Sequence, residues 1–213
     1  LPDESIIYFG DTARFPYGPR PLDEVKRFAL SIAKFLVSVK VKMIVIACNT
    51  STAAALKDIR KETKIPVIGV IEPGARAAVS ATKSKRIGVI ATKGTVESKA
   101  YDRAISQIDK KISVFSNPAP LLVDYVEKGI FEGRELDETI YDYLEPLFDK
   151  SIDVLLLGCT HFPLIESNIK KCCSESVKVI SSAVETAKDV KKALFEKNIL
   201  NTSCAEPERK FYI

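Results

Sequence analysis

The sequence predicts an α/β fold of two pseudo-symmetric domains, each a mainly parallel sheet flanked by helices, with an active site in the cleft between them. Two observations predict it. Short apolar, β-branched runs alternate with amphipathic stretches along almost the whole chain, as in parallel strands joined by crossover helices. In addition, IVIACNT (Ile44 to Thr50) and LLLGCTH (Leu155 to His161) match one another: three aliphatics, a small residue, then a cysteine with a threonine within two positions.

Taken in order, the strand patterns are Ile6 to Gly10, Met43 to Ala47, Val67 to Ile71, Arg86 to Ala91, Ser113 to Phe115, Val154 to Gly158 and Lys178 to Ile180. The first helix begins near Pro21, a residue suited to a first turn, and places Val25, Phe28, Ala29, Ile32, Phe35 and Leu36 on one face. Helical periodicity recurs at Thr52 to Glu62, Thr95 to Ile108, Glu135 to Phe148, Pro163 to Cys173 and Ala183 to Lys197. The topology assigns residues 1–75 and 184–213 to a first, discontinuous domain and residues 76–183 to a second.

The 213 residues are 46% hydrophobic, enough for a substantial core. Charged residues make up 28% with both signs interspersed, and a net charge of +4 is no nucleic-acid footprint; the Lys83 to Arg86 run reads as a solvated turn. The five cysteines lack the dense spacing of a disulfide scaffold, so reduced thiols and a cytoplasmic location are expected. Cys172 and Cys173 fall within a helical pattern and Cys204 in a polar tail, where structural roles are expected. No apolar run approaches a membrane span, so no membrane association is predicted. Because the chain starts without methionine and enters a strand pattern almost at once, an upstream segment is expected.

In parallel sheets ligands gather beyond the carboxyl ends of the strands. The corners there read GDTARFPYG, CNTST, EPGA, TKGT and CTH, the last holding His161, the sole histidine. Cys48, Cys159 and His161 would give zinc three ligands, without the compact C-x-x-C pairs of structural sites. A Cys–His hydrolase would leave Cys48 idle, and disulfide exchange lacks its usual C-x-x-C motif. Acid–base chemistry at a carbon centre uses both thiols: one removes a proton from one face while the other returns a proton to the opposite face.

IACNTSTAAAL and LLLGCTHFPLI, with YFGDTARFPYGPR and PVIGVIEPGARAAV, closely resemble the cofactor-independent glutamate racemases of the aspartate/glutamate racemase superfamily, from Tyr8 to about Lys191. The resemblance implies interconversion of L- and D-glutamate, supplying D-glutamate for peptidoglycan, with neither metal nor other cofactor and with a small-molecule substrate as the main partner. Family members are often dimers, so a homodimer is among the expectations. Carried over, Cys48 and Cys159 resemble the two catalytic bases, acting on the D- and L-enantiomer respectively. Tyr17, Gly18, Asn49, Thr50, Thr160 and Thr95 resemble groups that hold the substrate. His161 resembles the histidine beside the second cysteine, and Glu127 an acidic residue supporting it. The family's Asp-Ser-Gly motif, expected upstream, has no counterpart in the chain. The alternatives are a racemase for aspartate or another acidic amino acid, and a catalytically silent binding protein on the same fold.

Overall fold

The computed structural model describes residues 1–203 and 205–213; Cys204 lies outside the described residues. The element order is β1 (Ile6–Phe9), α1 (Leu22–Ser38), β2 (Ile44–Ile46), α2 (Asn49–Glu62), β3 (Val67–Gly69), α3 (Ile71–Ala81), β4 (Arg86–Ala91), α4 (Lys93–Glu97), α5 (Ala100–Ile108) and β5 (Ser113–Pro118). It continues with α6 (Leu121–Glu127), α7 (Arg134–Phe148), β6 (Val154–Gly158), a 3₁₀ turn (Phe162–Ile165), α8 (Glu166–Cys172), β7 (Lys178–Ser181), α9 (Ser182–Glu196) and β8 (Arg209–Tyr212). The described strands form three sheets, β1–β8, β2–β3 and the four-stranded β5–β4–β6–β7, and every ladder is parallel. Parallel neighbours need crossovers, and the helices supply them.

The core follows the two covered faces of the four-stranded sheet. One face of β6 packs Leu155 and Leu157 with Leu122, Leu136, Ile140 and Phe162 from α6, α7 and the 3₁₀ turn. The other packs Leu156 with Ile87 and Val89 of β4 against Ala75, Tyr101 and Ile105 of α3 and α5. All five residues of β6 are buried, the pattern of a strand covered on both sides. A third cluster joins α1 and α2 to β2 and β3 through Ala33, Ile44, Leu56 and Ile59.

Among the segments that depart from the sequence-based expectations, three have a clear local cause or add an element. The EPGA corner is the first turn of α3 rather than a loop: Pro73 is tolerated there, and Gly74 lets the helix approach α9, since a Cβ would lie 2.9 Å from that of Ser182. The single helix expected over Thr95 to Ile108 is two, divided at Lys99, whose φ is 50°. Beside it the Ser98 hydroxyl donates to the Thr95 carbonyl (2.6 Å) and accepts from the Ala100 N–H (3.1 Å), offering the backbone a local alternative to helix. Finally, Arg209–Tyr212 adds β8 beside β1, with Ile6 opposite Arg209. Cys172 ends α8, its thiol 3.6 Å from the Asp137 carbonyl of α7, and Cys173 caps the helix.

The tightest point near the functional corners is Gly158, the last residue of β6. A Cβ there would stand 2.9 Å from the Ala91 Cβ, 2.9 Å from the Tyr101 ring and 3.0 Å from the Ile90 carbonyl. The sheet backbone cannot yield as a side-chain tip can, so Gly158→Ala is expected to cost about 1–3 kcal/mol, the usual range for overpacking. Chemical denaturation of the two proteins measures it, and equal midpoints would contradict the packing argument.

Candidate active site

The site grows from four strand-to-helix corners. Cys48 follows β2 and is the N-cap of α2, its thiol accepting the Ser51 N–H at 3.5 Å. A sulfur held there faces the backbone N–H groups of the helix's first turn. Asn49 and Thr50, the first helical residues, are both buried.

The corner after β4 closes on the corner after β2 through hydroxyls. Thr50 Oγ1 lies 2.9 Å from Thr92 Oγ1 and 3.3 Å from Thr95 Oγ1, and the last two are 3.0 Å apart. All three residues are buried, so this triangle satisfies polar groups that water cannot reach. Thr92 also caps α4, accepting from the Thr95 N–H. Sequence reasoning singled out Thr50 and Thr95 but missed Thr92, whose signal was its place at the end of β4.

The corner after β1 reaches the same place. The Gly94 N–H donates to the Gly18 carbonyl at 3.2 Å, and a Cβ on Gly18 would sit 3.0 Å from that of Thr92. Tyr17 donates its hydroxyl to the carboxylate of Asp11, which Arg14 also approaches at 3.5 Å. Burial, then the hydrogen bond and charge of Asp11, push the Tyr17 phenol well above its ordinary range, and Cys48 is close enough to add to the effect. Tyr17 therefore remains a neutral donor beside the first thiol. Asp11 was not selected from the sequence, although it stands in the same GDTARFPYG corner.

Cys159 closes β6 and is 5% exposed. Burial pushes its thiol up to about 12, and the nearby Cys48 adds to the rise, while backbone N–H groups of His161, Phe162 and Thr160 pull the other way. Cys159 Sγ is 3.5 Å from His161 Nδ1, and His161 Nε2 is 2.5 Å from Glu127 Oε1 at the end of α6. Phe15, from the corner after β1, lies 5.7 Å from the imidazole between ring centroids. Thr160, which separates Cys159 from His161 along the chain, is exposed.

All ten residues singled out from the sequence thus belong to these four corners or, for Glu127, contact one of them. Among the described residues, no three His, Cys, Asp or Glu side chains gather as a metal centre requires. Two surface crevices, one of about 140 Å³ between α1 and α2 and one of about 280 Å³ beside Arg76 and Asp189, touch neither Cys48 nor Cys159.

Residues 1–190 match the family described as Asp/Glu/Hydantoin racemase. The chain belongs to that family. A glutamate racemase of Oceanobacillus iheyensis is 45% identical over 213 residues, covering all of this chain and 78% of the relative. Among solved structures, a glutamate racemase of Bacillus anthracis superposes with a TM-score of 0.95 at 44% identity, over 99% of this chain and 79% of that one. One from Francisella tularensis, solved with D-glutamate, gives 0.93 at 40% identity over 100% and 79%. These racemase relatives have the same α/β architecture, which explains why the two cysteine corners stand on one framework. No helix among the described residues is long and apolar enough to cross a membrane.

Proposed function

We propose that this racemase-family protein interconverts L- and D-glutamate by proton transfer between Cys48, Cys159 and the substrate's α-carbon. The reading rests on one observation above all: Cys48 and Cys159 follow β2 and β6 at corners that one side chain bridges, the Tyr101 hydroxyl bonding Asn49 and its ring lying against Gly158. The 45% identity to a glutamate racemase over the whole chain supports the choice of substrate.

In the proposed cycle one cysteine is a thiolate and the other a thiol. The thiolate takes the α-hydrogen as a proton, and the C–H electron pair passes into the carboxylate. The thiol on the opposite face then gives its proton to that carbon, leaving an inverted product and a thiol–thiolate pair with roles exchanged. Negative charge grows on the α-carboxylate, so preorganised donors at helix N-termini and from Asn49, Thr50, Thr95 and Thr160 stabilise the transition state. Tyr17 and Gly18 hold the substrate from the corner after β1. Acid–base catalysis contributes about 10² to 10⁴-fold, so water exclusion and charge stabilisation supply the rest.

The further parts of the reading are a cytoplasmic location, use of the product in peptidoglycan, and a homodimer. The proposed division places residues 1–75 with 184–213 and leaves 76–183 as the other domain. The test is incubation of the protein with L-glutamate in D₂O, following the α-hydrogen by NMR and the optical rotation together. Rotation should decay to zero as deuterium enters the α-position. Glutamate binding without exchange would leave a silent binding protein, and faster decay with aspartate would move the substrate.

A further inference from the structure

We infer that Tyr101 is a positioning residue for this site: its phenol fixes the Asn49 amide so that the amide nitrogen is presented to a carboxylate of the substrate. The inference rests on the proposed racemase reading.

Asn49 is 2% exposed. Its carbonyl oxygen accepts the Tyr101 hydroxyl at 2.6 Å. Its amide nitrogen is the one buried side-chain nitrogen or oxygen among the described residues with no hydrogen-bond partner in the protein. A buried donor left unpaired costs about 1–3 kcal/mol, so a fold that keeps one beside a thiol is a fold that satisfies it with a ligand. Two N–H donors with no acceptor select an anionic oxygen, and a carboxylate supplies it.

Tyr101 is built to hold that orientation. It is 2% exposed, and burial keeps its phenol far above its ordinary range, so it remains a donor. Ser182, also buried, stands with the phenol oxygen around Gly74. The ring rests against two glycines: a Cβ at Gly158 would lie 2.9 Å from its edge, and one at Gly74 would lie 3.6 Å from its oxygen. Gly158 precedes Cys159, and Asn49 follows Cys48. One side chain from α5 therefore touches the chain immediately beside both thiols. With the amide oxygen fixed on Tyr101, the nitrogen has one direction left.

The experiment compares Tyr101→Phe, Asn49→Ala, the double variant and Asn49→Asp by steady-state kinetics with both enantiomers and by calorimetric titration with D-glutamate. Tyr101→Phe keeps the ring's packing and removes only the hydroxyl. It should raise KM and the dissociation constant about tenfold, with kcat changed less, the scale of one net hydrogen bond. In the Asn49→Ala background the same change should have no further effect. Asn49→Asp keeps the oxygen that Tyr101 holds but replaces the donor, and should lose glutamate binding. An unchanged KM in Tyr101→Phe, a full further loss in the double variant, or wild-type affinity in Asn49→Asp overturns the inference. Because the titration reads affinity whether or not turnover occurs, absence of racemisation in the wild type would count against the activity and not against Tyr101.

Discussion

Cys48→Ser and Cys159→Ser are each expected to lower racemisation by about 10³-fold or more, near the upper part of the range for a positioned acid or base. A serine hydroxyl is far too weak an acid to form the alkoxide that would stand in for a thiolate at neutral pH. The two proteins should nevertheless differ. Each retains one thiol and hence access to one face of the α-carbon, so each should exchange the α-hydrogen of one enantiomer with solvent without inverting it. On the roles assigned by family resemblance, Cys159→Ser keeps exchange of D-glutamate and Cys48→Ser keeps exchange of L-glutamate. NMR in D₂O with each pure enantiomer separates the four combinations. Full racemisation in either variant would remove the two-thiol mechanism. Cys48 caps α2 through its sulfur, and serine is itself a favourable N-cap, so the fold at that corner survives the change.

The corners that carry these thiols were legible because a buried strand followed by a thiol and hydroxyls is a strong local contrast. Arg86–Ala91 and Val154–Gly158 match their sequence-based bounds, since uninterrupted aliphatic runs leave little freedom in where a strand ends. The start of α2 was expected at Thr52 and lies at Asn49, because cysteine is not among the usual N-cap residues and Asn49 and Thr50 read as loop. Helix α3 was hidden for a different reason. Pro73 and Gly74 are turn signals, and much of the buried face behind them is alanine, too weakly apolar to mark a period. Thr92 and Tyr101 could not be reached from local pattern, since their partners Thr50 and Asn49 lie 42 and 52 residues away and meet them only through packing of α2 against α4 and α5. His161 stands two residues from the second cysteine, whereas Glu127, 34 residues from His161, was paired with that corner only by family resemblance.

That pairing leads to the second large effect: His161→Asn should reduce kcat about 10²-fold, more with L-glutamate than with D-glutamate. A carboxylate can only accept, so the 2.5 Å contact to Glu127 fixes a proton on His161 Nε2. In the neutral imidazole this leaves Nδ1 as an acceptor, 3.5 Å from the Cys159 sulfur. The imidazole can therefore take the Cys159 proton and carry positive charge between a carboxylate and a thiolate. Burial pushes the Cys159 thiol up to about 12, so little thiolate is present to act as a base unless the imidazole takes its proton. Protonation of substrate by the same thiol does not need that help, so the opposite direction suffers less. Enantiomers have equal free energies, which forces kcat/KM to be equal in the two directions; KM must then shift in the same ratio as kcat, an internal check on the data. Glu127→Gln keeps a hydrogen-bond acceptor and removes the charge, so its loss should follow the same asymmetry with a smaller size. Equal losses of kcat in both directions in His161→Asn would mean that the imidazole shapes the site rather than moving the proton of Cys159.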